Sequence, residues 1–277
     1  MSYKTILVHL DPRPRSAARL ALAGRLAAMF DAHLVGLYAP GAPRIPSYAL
    51  AEAGPALRDL VEKRTVDAAR EAERRFRGAS AALGEARAEW RAAEGDAAHA
   101  LRLSARYADL VVAAQPQAED EGDMIGLADE LALSAGRPVL FMPYAGDYPA
   151  VGKRVLVAWD GGREAARAVS DALPLLRRAD AVEVAVFDPQ RARRNHGAQP
   201  GADIALYLAR HGVKVAVHTQ SGAGYDVGAQ ILSRAADTSA DLIVMGAYGH
   251  ARVRELVLGG VTRTVLQAMT VPVLMSH

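Results

Sequence analysis

Short runs of β-branched and other apolar residues alternate along the chain with longer stretches rich in Ala and Arg. Lys4-Thr-Ile-Leu-Val-His-Leu-Asp11 closes on an acid, and Lys153-Arg-Val-Leu-Val-Ala-Trp-Asp160 does the same. Ser16 to Phe30 and Arg163 to Arg178 follow them with the length and composition of helices. Second apolar runs come next, His33-Leu-Val-Gly-Leu-Tyr38 and Val182-Glu-Val-Ala-Val-Phe187. Ala108-Asp-Leu-Val-Val-Ala113 is later matched by Ala240-Asp-Leu-Ile-Val-Met245. Gly136-Arg-Pro-Val-Leu-Phe-Met142 is matched by Thr270-Val-Pro-Val-Leu-Met275. An unbroken apolar run predicts a strand buried on both faces, the habit of parallel sheets. Helical segments between such strands predict right-handed crossovers with helices on both sides.

Landmarks recurring in one order predict an internal duplication. The expected fold class is α/β: two tandem open parallel five-stranded sheets, Rossmann-like, with helices on both faces. Each half should hold about five strands and four helices. The expected domains are 1–146 and 150–277, the break marked by Pro143, Gly146, Pro149 and Gly152. Ala39 to Gly54 carries Pro40, Pro43 and Pro46, with Pro55 just beyond, and should be a long loop. Glu62 to Arg77 mixes acids and bases at helical spacing and reads as a solvated helix face.

Composition narrows the function classes. A hydrophobic content of 51% supports a large core, with aromatics at only 5%. The absence of cysteine excludes a disulfide framework and a thiolate metal site. It fits a reducing compartment, and a cytoplasmic location is expected. The amino terminus reaches a charge too early for a signal peptide, and no apolar run approaches the roughly 20 residues of a membrane span. The 33 basic residues nearly balance 31 acidic ones, so nucleic acid is not an expected partner.

The most informative chemistry lies near the carboxy terminus. The run Asp241-Leu-Ile-Val-Met245 enters Gly246-Ala-Tyr-Gly249, and after nine residues comes Gly259-Gly260-Val261-Thr262. Glycines without a Cβ let backbone N–H groups approach an anion, and a helix amino terminus adds unpaired donors and a favourable dipole. In an open parallel sheet, ligands bind beyond the carboxyl ends of the strands where strand order reverses. That edge should gather Asp160, Val186 and the glycine loop.

Gly246-x-x-Gly249-x9-Gly259, with Val261 and Thr262 after it, resembles the nucleotide-binding signature of the universal stress protein family. The Lys-x-x-Leu-Val strand closing on Asp and the final Val-Pro-Val-Leu strand fit as well, so the resemblance spans the chain as a tandem pair. It implies a fold similar to the nucleotide α-hydrolases and binding of ATP, or another adenine nucleotide, in some members. By resemblance, Asp160 lies by ribose, phosphate or a magnesium ion. Val186 and Met245 line the adenine, with Ala158 and Trp159 beside base or ribose. Gly246, Gly249, Gly259, Gly260, Val261 and Thr262 hold the phosphates. The family commonly has Ser or Thr where Gly260 stands, so one hydroxyl donor is lost, worth roughly 0.5–1.5 kcal/mol; Thr262 keeps its hydroxyl and can cap the helix.

Several of these residues have a plainer reading. Asp160 can cap the following helix, and Trp159 can pack under the loop. His250 can meet a phosphate or face water, as can Arg252 and Arg254. His9 reads as an interior histidine. Gly222 to Gly228 reads as a turn and helix start, since it misses the dinucleotide spacing. No histidine pair has zinc spacing.

The first half differs. Ala114 and Gln117 replace its first two cradle glycines, and its loop is two residues shorter than its twin. Glu119, Asp120, Glu121 and Asp123 stand where a polyphosphate would sit, and such charges repel it. The first half is therefore expected to be degenerate and the second to bind nucleotide. The expected function is an ATP-binding stress-response regulator without dedicated catalysis. The alternatives are a ligand-free interaction module and a slow ATPase. By resemblance, the closing strands Val139 to Met142 and Val271 to Met275 make an intrachain pseudo-dimer, leaving a homodimer or a protein partner open.

Overall fold

A computed structural model describes residues 2–41, 54–117, 120, 124, 126–190, 199–221, 225–249 and 260–277. The first half runs β1 (Thr5–Leu10), α1 (Ser16–Phe30), β2 (His33–Tyr38), α2 (Gly54–Ser80), β3 (Ala88–Ala92), α3 (Ala97–Ala105), β4 (Leu110–Ala114), α4 (Leu127–Ser134) and β5 (Val139–Met142). The second runs β6 (Arg154–Ala158), α5 (Arg163–Leu176), β7 (Ala181–Phe187), α6 (Ala202–Arg210), β8 (Val215–Gln220), α7 (Val227–Asp237), β9 (Leu242–Gly246), α8 (Val261–Ala268) and β10 (Val273–Ser276). The expected strand-helix alternation is present in both. The prolines of the expected long loop, Pro43 and Pro46, lie outside the described residues.

The two expected five-stranded parallel sheets are both present, and they join edge to edge along their closing strands. They make one ten-stranded sheet in the order β3-β2-β1-β4-β5-β10-β9-β6-β7-β8. All pairings within each half are parallel. The joint between β5 and β10 is antiparallel, with Phe141 opposite Val273 and Val139 opposite Met275. Side chains tie the halves further. Gln115 Nε2 donates to Gln267 O at 3.2 Å, and the Tyr3 hydroxyl to Asp171 O at 2.7 Å.

The duplicated landmarks have a physical basis. Asp109 accepts from the N–H groups of Lys4 and Thr5 at 2.7 and 3.0 Å, fixing the start of β1. Asp241 does the same for Gly152, Lys153 and Arg154 at 2.9, 3.0 and 3.1 Å, just before and at the start of β6. One aspartate in each half thus satisfies backbone donors that precede the sheet ladder.

Alternating strand residues feed two core layers. Ile6, Val8, Val155 and Val157 pack on one face with α1, α2, α5 and α6. Leu7, Val111, Leu156 and Ile243 pack on the other with α3, α4, α7 and α8. Both layers run through both halves. The outer face of α2 carries exposed ion pairs such as Glu71 with Arg75 and Glu73 with Arg77, as its charge pattern implies. Its inner residue Phe76 lies on Gly36, where an added Cβ would sit 2.5 Å from the ring.

Candidate functional site

The carboxyl edge of the second half brings several expected residues together. Ala158, the last residue of β6, stands between Ala185 of β7 and Met245 of β9. Trp159 N donates to Ala185 O at 2.9 Å, so the chain leaves the sheet one residue before Asp160. Trp159 is partly buried against the core, which favours a packing role for its ring. Asp160 is exposed, and its Oδ1 accepts from Gly162 N at 2.8 Å, tightening the turn into α5.

Gly246 has a definite structural task. A Cβ added to it would meet Ala165 N at 2.6 Å and the Glu164 carbonyl carbon at 2.7 Å. The loop after β9 therefore rests directly on the first turn of α5, a contact that any side chain would block. Beyond it, a Cβ on Gly249 would lie 3.6 Å from Glu164 Oε2 and 4.0 Å from Asp160 Oδ2. The glycine loop, the first-strand acid and the α5 amino terminus thus meet at one place.

Thr262 is buried and does not cap α8; Gly260 is the cap residue, without a side-chain cap bond. Instead Thr262 Oγ1 accepts from Tyr248 N at 3.1 Å, joining the loop to α8. Val261 opens α8 and is partly buried. Met245 is buried in the core layer of that face, which supports the loop from below. Val186 is fully buried, and a Cβ on Gly201 would meet its Cγ2 at 3.2 Å. The start of α6 therefore covers the valine expected to line a pocket. His250, Gly259, Arg252 and Arg254 lie outside the described residues.

Three residues here escaped sequence reasoning. Glu164 is 4% exposed and paired with Arg163. Burial raises its pKa, but the Arg163 hydrogen bond, its own backbone N–H and nearby His277 bring it below the usual glutamate value. Tyr248 adopts a left-handed backbone with φ 50, and its hydroxyl donates to Asp129 Oδ1 of α4, in the other half. The third is Arg19, which closes the matching site in the first half.

There, Asp11 is 4% exposed, whereas its twin Asp160 is open. Arg19 Nη2 and Arg13 Nη2 each donate to Asp11 Oδ2 at 2.9 Å. Arg19 Nε also donates to His9 O at 2.7 Å. Burial pushes the Asp11 carboxyl up, but Arg19, His9 and Arg13 hold it at about 2. Arg13 also pairs with Asp120, one of the four acids of the first-half loop; Glu119, Glu121 and Asp123 lie outside the described residues. His9 is buried with Nε2 2.8 Å from Ala39 O, an interior histidine as expected. Counted from the two aspartates, Arg13 and Arg19 match Gly162 and Ala168, which carry no charge. That difference stands in the sequence, but no spacing rule shows that the two guanidiniums converge on one aspartate.

Asp160 and Glu164 are hard oxygen donors of the kind magnesium takes alongside phosphate oxygens. Among the described residues there is no group of three or more His, Cys, Asp or Glu that could hold a metal by itself. The donor set fits an ion brought in with a phosphate. No described helix is long and apolar enough to cross a membrane.

An open parallel α/β sheet with a glycine loop set on a helix amino terminus defines a Rossmann-like class of protein. Within that class, residues 152–277 match the model of the Universal stress protein family. A universal stress protein from Archaeoglobus fulgidus DSM 4304 shares the fold, with a TM-score of 0.73 at 16% identity over 98% of this chain and 95% of that one. A functionally unknown protein from Pseudomonas aeruginosa PAO1 aligns with a TM-score of 0.59 at 17% identity, covering 99% and 92%. A curated universal stress protein of Synechocystis sp. (strain ATCC 27184 / PCC 6803 / Kazusa) is 50% identical over 38 residues, which is 14% of this chain and 13% of that protein. The chain carries a universal stress protein domain in its second half, and the likeness to the solved structures extends the fold over both halves. A universal stress protein solved in complex with cAMP aligns over 51% of this chain at 24% identity and a TM-score of 0.34; at that likeness the ligand belongs to that protein alone.

Proposed function

We propose that this chain is an adenine-nucleotide-binding regulatory protein that holds ATP or a related nucleotide in its second half, 150–277. The first half, 1–146, is then a degenerate copy that serves as scaffold and contact surface. The observation that carries this reading is the unequal treatment of one position. Asp160 is solvent-exposed beside a glycine loop seated on α5, while Asp11 is buried against Arg13 and Arg19. The proposed role is a cytoplasmic, regulatory one in the stress response, in which a nucleotide-ordered loop alters what the surface offers a protein partner. The β5–β10 joint takes the place of a contact between separate chains.

Equilibrium dialysis and thermal-shift titration test the reading. One ATP per chain should bind, and a saturating concentration should raise the melting temperature, because a ligand specific to the native state stabilises it. Two ATP per chain would overturn the assignment to one half. No shift with any adenine nucleotide would favour a ligand-free interaction module.

A further inference from the structure

The two ends of the ten-stranded sheet finish in unlike ways. β3, at one end, reads Ala-Glu-Trp-Arg-Ala. Glu89 and Arg91 pair with each other on it, with side chains 44% and 42% exposed. Charged side chains on a short edge strand discourage pairing with another chain. β8, at the other end, reads Val-Ala-Val-His-Thr-Gln and carries no Asp, Glu, Lys or Arg. Val217, near its middle, is 43% exposed, and Ala216 and Thr219 are exposed beside it.

The register decides which backbone groups of β8 face outward. Val182 N donates to Lys214 O at 3.0 Å, and Asp188 N to Gln220 O at 2.8 Å. Between these bonds Val182, Val184 and Val186 stand level with Val215, Val217 and Thr219. In a parallel ladder the β7 bonds then run to the even-numbered residues of β8, while Val215, Val217 and Thr219 turn both N–H and C=O away from β7. Among the described residues β8 has no second strand neighbour. The outward residues are all β-branched and evenly spaced about Val217, which makes the edge self-complementary. Set antiparallel against an identical strand, Val217 faces Val217 and Val215 faces Thr219, each pair exchanging both N–H···O bonds. Small Ala216 then faces larger His218, and Lys214 faces neutral Gln220, so no like charges meet.

We propose that β8 is a docking edge for a second copy of this chain, joined antiparallel across a two-fold axis at Val217. The two sheets continue as one through this joint, and the charged β3 edges at the far ends stop the assembly at a dimer.

Sedimentation velocity of the full chain over a concentration series tests it, together with amide hydrogen exchange read by NMR. One strand pair is a small interface, so a reversible dimer with a dissociation constant on the order of 10 µM is expected. Val217→Lys sets two cations face to face at the axis and should weaken the dimer by about tenfold or more. Val217→Pro removes an N–H that β7 does not use, so it should abolish the dimer and keep the native circular dichroism. Should either variant fail to fold, exchange in the native protein decides. The amides of Val215, Val217 and Thr219 should slow between dilute and concentrated protein, while those of Ala216, His218 and Gln220 stay slow throughout. A monomer at every concentration up to about 1 mM overturns the proposal. So does a dimer of unchanged strength in both variants, or assembly beyond a dimer. Slow exchange at Val215, Val217 and Thr219 in a monomeric sample overturns it too, since another segment of the same chain would then cover the edge.

Discussion

Arg19 Nη2 donates to Asp11 Oδ2 at 2.9 Å, and both side chains are almost fully enclosed. Removing one member of a buried ion pair strands the other, which costs about 3–5 kcal/mol. Asp11→Ala should therefore lower unfolding stability by about 3 kcal/mol in urea denaturation. Asp160→Ala removes an exposed carboxylate from a turn and should cost under about 1 kcal/mol. Equal losses would mean that the first-half pair is not the stabilising feature described.

His9 carries a pH prediction. Burial, then the neighbouring Arg19, lowers its pKa from 6.5 to about 4, against a weaker opposing pull from Asp11. Its Nδ1 is buried with no hydrogen-bond partner, which fits a neutral ring donating from Nε2 to Ala39 O. The unfolded chain binds a proton at higher pH than the folded one. Stability from this group is therefore full above pH 6.5 and is lost as pH falls toward 4. The loss amounts to about 3 kcal/mol. Chemical denaturation at pH 7 and pH 5 should show a smaller decline in His9→Gln, which retains an amide donor. Asp11 adds a second loss only at lower pH, between 3.8 and about 2.

Gly246 and Gly249 should respond differently to the same methyl group. Gly246→Ala meets backbone atoms at 2.6 and 2.7 Å and forces the loop off α5. It should cost about 1–3 kcal/mol, read as a fall in melting temperature, and should abolish nucleotide binding. Gly249→Ala meets only ordinary contacts at 3.6 and 4.0 Å and should leave stability nearly unchanged.

Tyr248 links its loop to Asp129 on the other half. A double-mutant cycle with Tyr248→Phe and Asp129→Ala should give a coupling energy of about 1–2 kcal/mol, since the acceptor is charged. Additive losses would show that the two groups do not interact in solution.

Much of the fold was legible because the inner strand runs are apolar on both faces and recur; the edge strand β3, Ala-Glu-Trp-Arg-Ala, is polar and half exposed and gave no such signal. The Asp in Ala-Asp-Leu repeats because Asp109 and Asp241 tie down the first strand of their half. Strand ends differed by a residue or two, as with the last strand, expected over Val271 to Met275 and found at Val273–Ser276. The meeting of the two closing strands came from the resemblance alone, since an edge-to-edge joint needs no motif beyond two ordinary strands. The cover on Val186 was hidden because it depends on where Gly201 returns in space. Glu164 was not singled out, since an acid in the first turn of a helix is common and its burial shows only in the fold.

The opposed directions of β5 and β10 point the two carboxyl edges toward opposite ends of the sheet. In a pair of separate identical chains, every substitution would strike both edges at once. A single covalent tandem escapes that constraint: one edge can harden into ballast while the other stays free to diversify.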